Sequence, residues 1–171
     1  MWKTLRQIAR VGRISELPRD GGGAPIEAGE ARVREELLQV LGRALAVRVV
    51  DAGSCNGCEL EINALGNPYY NIEGLGIHLV ASPRHADLLL VTGPVTRHME
   101  QALRRTWEAM PEPRLVVAAG DCACGHGVFD ENYACHGSVA AVLPVDVSVG
   151  GCPPTPSDLL QGMLHAVRRR T

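Results

Sequence analysis

The stretch "LAVRVVDAGSCNGCELE" at residues 45–61 holds the two features that decide the fold of this chain. Its first half is a short, nearly continuous apolar run, which is typical of a strand buried on both faces of a sheet. Its second half carries Cys55 and Cys58, separated by two residues, and continues as a predicted helix. A cysteine pair directly after a buried strand indicates a functional site, and the other cysteines decide its kind.

Further elements alternate along the chain. Short apolar runs bounded by turn residues predict strands over residues 76–82, 86–93, 114–121 and 140–151, the last with a break at Pro144. Helical periodicity predicts helices over 27–46, over 97–109 with Thr96 as N-cap, and from Thr155 onward. Pro156 and Asp158 suit the first turn of that last helix. The alternation predicts an α/β fold, with an open parallel sheet and helices on both faces.

The N-terminal part differs in composition from the rest. Residues 1–26 are predicted to be a basic segment followed by a linker. The pattern of residues 1–15 indicates a short amphipathic helix, and the composition of "PRDGGGAP" at 18–25 indicates the linker. The segment either docks on a partner subunit or an anionic membrane surface, or is a frayed terminus. Residues 27–171 are predicted to form a single domain.

Composition narrows the class of protein. The 171 residues are enough for one domain with a real core. A net charge of −2 and only 4% aromatic residues argue against a nucleic-acid partner. No apolar run is long enough to span a membrane, and the start lacks the features of a signal peptide, so we expect a cytoplasmic protein. Six cysteines in a reducing compartment indicate metal or redox chemistry.

Four cysteines are expected to converge. Cys55 and Cys58, Cys122, and Cys152 each follow a different predicted strand, and the carboxyl ends of parallel strands lie along one edge of a sheet. Glycines flank these cysteines, which lets backbone N–H groups approach sulfur closely. The pattern predicts four thiols in one pocket, held by loops at the carboxyl ends of the strands.

Three kinds of site are compatible with a Cys-x-x-Cys pair. A thioredoxin-like redox pair would need no further cysteines, and a structural zinc site usually shows two such pairs. One pair followed by two distant single cysteines favours a [4Fe–4S] cluster, because a site assembled from distant loops suits a cluster of that size.

The remaining polar residues near the cysteines are less informative. Cys124 is a small buried residue or a competitor of Cys122, and Cys135 is a small buried residue. His126 is a loop histidine or a further ligand. Glu59, Glu61 and Asp121 adjoin the cysteines and could carry protons, although solvated carboxylates are the simpler interpretation. No acid–base or nucleophile constellation is present, so we expect no catalytic site in this chain itself.

Four motifs carry a family resemblance. The stretches "DAGSCNGCELEINAL", "ASPRHADLLLVTGPVT", "GDCACGHGVF" and "PVDVSVGGCPPTPSDLL" resemble, in order, the small subunit of membrane-bound, energy-converting [NiFe] hydrogenases of the formate hydrogenlyase and hydrogenase-4 type. That subunit is similar to the 20-kDa subunit of respiratory complex I. The resemblance covers roughly residues 46–167. One departure is His126-Gly127, where relatives have Gly-Gly.

The resemblance implies a flavodoxin-like fold and an electron-transfer role in a multisubunit oxidoreductase. It implies one [4Fe–4S] cluster next to the active site of the large subunit, with Cys55, Cys58, Cys122 and Cys152 as ligands. The implied partners are a nickel–iron or 49-kDa-like large subunit, a ferredoxin-like iron–sulfur subunit, and membrane subunits that attach the chain to the inner face of the cell membrane.

The spacing of the first cysteine pair separates two branches of the resembled families. Complex I members have adjacent cysteines there, whereas the hydrogenase branch has Cys-x-x-Cys, as in this chain. Two alternatives stay open: a quinone-reducing subunit of the NADH:quinone oxidoreductase type, and a structural zinc-binding module.

Overall fold

The computed structural model describes residues 42–129 and 131–169, together with residues 2, 6, 35 and 39. The strands are β1 (Leu45–Asp51), β2 (Ile77–Leu79), β3 (Leu88–Thr92), β4 (Leu115–Ala119) and β5 (Val147–Val149). The α-helices are α1 (Gly57–Ala64), α2 (Arg97–Glu108), α3 (Asp121–Cys124) and α4 (Pro156–Arg168). Single 3₁₀ turns lie at Pro83–His85 and Val139–Ala141.

The strands form one parallel sheet in the order β2-β1-β3-β4-β5. This is the strand order of flavodoxin. Side chains alternate across it: Leu90 packs with Ile62 of α1 and Met163 of α4, whereas Leu89 packs with Leu103 of α2 on the opposite face. The α/β prediction, with an open parallel sheet and helices on both faces, is confirmed.

Two predicted boundaries are wrong. The strand predicted over 140–151 is only Val147–Val149, because the chain first makes a 3₁₀ turn and passes Pro144, where the break was expected. The C-terminal boundary predicted for the helix over 27–46 is too far along the chain, since Leu45 and Ala46 already belong to β1. Residues 35 and 39 are helical, as are residues 2 and 6. The rest of that helix and of the segment 1–26 lies outside the described residues.

The last helix begins as its sequence predicts. The Thr155 hydroxyl accepts a hydrogen bond from the Asp158 backbone N–H at 3.2 Å, and the Asp158 carboxylate accepts one from the Thr155 N–H at 3.2 Å. This reciprocal capping box stabilises the N-terminus of α4. Thr96 takes the N-cap position of α2, as predicted, but without a side-chain hydrogen bond. Within the described ranges, no helix has the length and apolar character needed to cross a bilayer.

Two aspartates hold the amino-terminal edge of the sheet. The Asp87 backbone N–H donates to the Ala46 carbonyl at 2.8 Å, and its carboxylate accepts from the Ala46 N–H at 3.1 Å. Asp146 makes the same pair of bonds with Val116, at 2.9 and 2.7 Å. Each motif joins two neighbouring segments at the start of the sheet. The register at the opposite edge is thereby set as well, because parallel strands pair residue by residue.

Replacing Asp87 tests this anchoring role. Its side chain is 6% exposed, and its carboxylate also bonds the exposed Arg43 at 2.5 Å. Asp87→Ala leaves the Ala46 N–H without its partner and should lower the free energy of unfolding by about 2 kcal/mol. Arg43→Ala is the matched control and should cost less than about 1 kcal/mol, because its guanidinium is largely solvated. Denaturant unfolding of the two variants measures the difference, and equal losses would contradict the anchoring role.

Candidate metal centre

The carboxyl ends of four strands stand in one row. In the pairing of the sheet, Asp51 lies beside Thr92, Thr92 beside Ala119, and Ala119 beside Val149. Cys55, Cys122 and Cys152 follow three of these positions after three or four residues. The loops that carry the cysteines therefore start from a common line.

Close contacts show that these loops meet. A Cβ atom placed on Gly57 would lie 3.5 Å from the sulfur of Cys55 and 3.9 Å from Cβ of Pro153, the residue after Cys152. A Cβ atom on Gly120, at φ +95°, would lie 2.6 Å from the sulfur of Cys58. The loop after β1 thus touches the loops after both β4 and β5.

The pKa of Cys58 depends on burial and on the three other predicted site cysteines. Burial, as the largest cause, and negative charge at Glu59, Cys55, Cys122 and Cys152 together raise the pKa of its thiol from 9.0 to about 12. The three other predicted site cysteines therefore act on one sulfur, although they are far apart in sequence. Cys58 and Cys122 are half-buried, whereas Cys55 and Cys152 are exposed.

A short turn presents the first cysteine pair. The Asp51 carboxylate accepts hydrogen bonds from the N–H groups of Gly53 and Ser54 at 2.8 and 2.7 Å. The Ser54 hydroxyl accepts one from the N–H of Asn56, which lies in the left-handed region at φ 72°. These bonds turn the chain from the end of β1 into α1, so that Cys58 falls in the first turn of that helix.

The interpretation of Glu59 as a solvated carboxylate, made from the sequence, is wrong. It is half-buried, and it accepts hydrogen bonds from the Ser54 hydroxyl at 2.6 Å and from the Thr92 hydroxyl. Thr92 is fully buried at the end of β3. Glu59 therefore joins the cysteine turn to β3, the strand whose own loop carries no cysteine.

Asp121 also has a defined partner. Its carboxylate accepts a hydrogen bond from the Gly151 N–H at 2.6 Å, and its own N–H donates to the Gly151 carbonyl at 2.9 Å. Sequence reasoning noticed Asp121 as a neighbour of Cys122 but had no signal for this contact, because Gly151 belongs to a different loop.

The other two cysteines lie in different surroundings. The sulfur of Cys124 is 3.6 Å from the carbonyl oxygen of Val149, at hydrogen-bond distance, and burial raises the pKa of its thiol. Cys135 is buried and belongs to the segment that bridges to Thr96. Neither of these thiols contributes to the charge around Cys58.

Where relatives have Gly-Gly, this chain has His126-Gly127, so it keeps the second of the two glycines. A Cβ atom on Gly127 would overlap the sulfur and backbone of Cys122, so this position has no room for a side chain. His126 is exposed, and its backbone N–H donates to the Asp121 carbonyl at 2.8 Å. The loop thus accommodates a histidine at the first of the two positions.

The donor set of the candidate centre consists of thiols, which are ligands of both zinc and iron–sulfur groups. Among the residues that the structure describes, no three histidine, cysteine, aspartate or glutamate side chains are grouped closely enough to hold a single metal ion. The four thiols nevertheless share one edge of the sheet, and side-chain-free glycines lie against three of them, Cys55, Cys58 and Cys122. Thiols that converge with this room around them are compatible with a thiolate-bound metal group.

Comparison with known proteins identifies the family. The family described as NADH ubiquinone oxidoreductase, 20 Kd subunit, matches residues 55–166, a span that contains all four site cysteines. The chain belongs to this family. It is thus homologous to subunits of oxidoreductases, and the resemblance seen in the sequence motifs is confirmed.

Individual relatives are similar to this chain over a longer stretch than residues 55–166. Formate hydrogenlyase subunit 7 of Escherichia coli (strain K12) is 41% identical over 154 residues, which cover 88% of this chain and 60% of the relative. The probable membrane-bound hydrogenase subunit mbhJ of Pyrococcus furiosus is 43% identical over 134 residues, covering 78% of this chain and 80% of the relative. This chain therefore spans 60% of the length of the first relative.

A solved structure agrees with both the fold and the family. A chain in the membrane-bound sulfane sulfur reductase, an archaeal respiratory membrane complex, is 29% identical and superposes with a TM-score of 0.65. The match covers 79% of this chain and 77% of that one.

The raised pKa of Cys58 predicts its reactivity in the metal-free chain. Because the thiolate is the nucleophile, alkylation of Cys58 should be slow at neutral pH and should increase only as the pH approaches about 12. The unfolded chain releases this proton first, near 9.0, so the contribution of Cys58 to stability is complete below 9.0 and is lost as the pH rises toward about 12.

Mass spectrometry of alkylated peptides measures this pH profile. The exposed Cys55 on the same turn is the internal control. Equal alkylation of Cys55 and Cys58 near pH 9.0 would contradict the raised pKa.

Proposed function

We propose that this chain is the electron-transfer subunit of a multisubunit oxidoreductase and that it holds one [4Fe–4S] cluster. Cys55, Cys58, Cys122 and Cys152 are the proposed ligands. The observation that supports this most directly is geometric: the loop after β1, with the first cysteine pair, touches the loops after β4 and β5 at the positions of Gly57 and Gly120.

The geometry favours a cluster over a single zinc ion. Zn–S bonds of about 2.3 Å would require the ligand sulfurs to lie roughly 3.8 Å apart. Among the described residues, no three histidine, cysteine, aspartate or glutamate side chains are grouped so that they could hold one metal ion. Four thiolates from dispersed loops are the ligand set of a [4Fe–4S] cluster, which would supply one-electron transfer when bound.

The protein residues prepare the site for such a group. Cys58 must lose its proton to become a ligand, and a bound metal group would supply the positive charge that favours this loss. Gly120 and Gly127 keep side chains away from the sulfurs of Cys58 and Cys122. Half-burial of these two cysteines limits the access of water on the protein side.

The opposite side of the site is open, which supports a partner subunit covering it. Cys55 and Cys152 are exposed. Two apolar side chains near the cysteines are exposed: Leu60, two residues after Cys58, is 61% exposed, and Val128, which follows Gly127 in the loop of Cys122, is 83% exposed. Exposed apolar groups beside a redox site are typical of an interface. We propose that a large subunit with the active site docks here.

The relatives guide the choice of partners. We propose a nickel–iron or 49-kDa-like large subunit, a ferredoxin-like iron–sulfur subunit, and membrane subunits that hold the complex at the cytoplasmic face of the membrane. Catalysis would belong to the large subunit, and this chain would act as the relay. The Cys-x-x-Cys spacing favours the hydrogenase branch, while a quinone-reducing complex is the second candidate because the family includes the NADH:ubiquinone oxidoreductase subunit.

Cysteine variants test the ligand set. The full chain, reconstituted anaerobically with iron and sulfide, should bind about four irons and absorb broadly in the visible range. Cys152→Ala and Cys122→Ala should lose most of this iron, whereas Cys135→Ala, which changes a cysteine away from the site, should retain it. Iron and sulfide analysis measures the outcome. A colourless, zinc-loaded protein, or equal iron in all variants, would contradict the proposal.

The identity of the large subunit decides between hydrogenase and quinone chemistry. The tagged full chain can be isolated anaerobically with its native partners. A large subunit carrying two Cys-x-x-Cys pairs would support a nickel–iron partner, and one without them would favour the quinone-type complex.

A further inference from the structure

One hydrogen-bonding motif occurs at both edges of the sheet. In each instance an aspartate donates its backbone N–H to the carbonyl of a residue on a neighbouring segment and accepts that residue's N–H with its carboxylate. The pairs are Asp87 with Ala46, Asp146 with Val116, and Asp121 with Gly151. The first two lie at the amino-terminal edge, where the motif anchors strands.

The third pair lies among the cysteines. Asp121 is the residue before Cys122, and Gly151 is the residue before Cys152. Two hydrogen bonds of 2.6 and 2.9 Å therefore join two different cysteine loops at the positions next to their thiols. The N–H of Gly120 adds a bond to the carbonyl of Val149 at 2.8 Å, which continues the β4–β5 pairing up to this point.

The carboxylate of Asp121 does not cap helix α3, in which Asp121 is the first residue. Although Asp121 begins α3, no side-chain hydrogen bond caps that helix. Its Oδ1 atom is directed to the N–H of Gly151 instead. The bond is charge-assisted, and such bonds are about twice as strong as bonds between neutral groups.

We propose that Asp121 is a positioning residue that fixes the separation of Cys122 and Cys152. This inference rests on the proposed function, because it assumes that both thiols are ligands of the same cluster. Without the two bonds, the segments after β4 and β5 are still joined at Val149, through Gly120 and Cys124, but no hydrogen bond joins them at the residues next to Cys122 and Cys152.

Three variants of the full chain test the role. Asp121→Ala removes the acceptor, and Asp121→Asn keeps an oxygen that can accept the same bond. Asp146→Ala is the matched control, because it removes the same motif from the other end of the same strand pair. After anaerobic reconstitution, Asp121→Ala should lose iron to a chelator about 10-fold faster than wild type, as is usual when a group that orients a metal ligand is removed. Asp121→Asn and Asp146→Ala should stay close to wild type.

A second measurement needs no metal. Hydrogen exchange of the Gly151 amide in the metal-free chain should accelerate by about 10-fold in Asp121→Ala and remain slow in Asp146→Ala. Unchanged exchange and iron retention in Asp121→Ala would overturn the proposal. Iron loss in Asp146→Ala as fast as in Asp121→Ala would also overturn it, because the effect would then reflect general stability. Equal losses in Asp121→Asn and Asp121→Ala would overturn it too, because the negative charge of Asp121, and not its hydrogen bond to Gly151, would then retain the iron.

Cys152→Ala separates this inference from the function on which it rests. If Cys152→Ala retains iron, the proposed ligand set fails, whatever Asp121 does. If Cys152→Ala loses iron and Asp121→Ala keeps it with unchanged exchange at Gly151, only the positioning role fails.

Discussion

Residue-by-residue pairing of parallel strands brings Asp51, Thr92, Ala119 and Val149 into one row, and the site depends on this alignment. Each position ends a strand, and three of them lead within a few residues to a cysteine. A parallel sheet is well suited to this purpose, because every strand points its carboxyl end to the same edge. Slipping one strand by a residue would displace its loop along the edge and reverse the faces of its side chains.

The carboxylates around the sheet share a common task. Asp87 and Asp146 join segments at the amino-terminal edge, and Asp121 joins two cysteine loops at the opposite edge. Glu59 links the cysteine turn to Thr92 of β3. Each carboxylate satisfies backbone or hydroxyl donors that would otherwise be left unpaired at the ends of strands. Acidic residues next to cysteines are thus used here for structure.

The metal-free chain keeps the Cys58 thiol protonated at neutral pH. Burial and neighbouring negative charge raise the pKa of Cys58 to about 12, so an isolated thiolate is strongly disfavoured there. The proposed metal group would supply the positive charge that a thiolate at this position lacks. The membership of the chain in the 20-kDa oxidoreductase subunit family agrees with that interpretation.

The sequence by itself determined the fold class, the family and the four cysteines to consider, because these depend on local patterns. Buried strands show as apolar runs, the cap of α4 shows as Thr155 with Asp158, and the segments that carry the four predicted site cysteines each follow a strand. Only the tertiary structure decided the roles of Glu59 and Asp121. At both positions, the local sequence would be equally compatible with a solvated carboxylate. Their partners, Thr92 and Gly151, are distant in the chain and come within reach only when the sheet has formed.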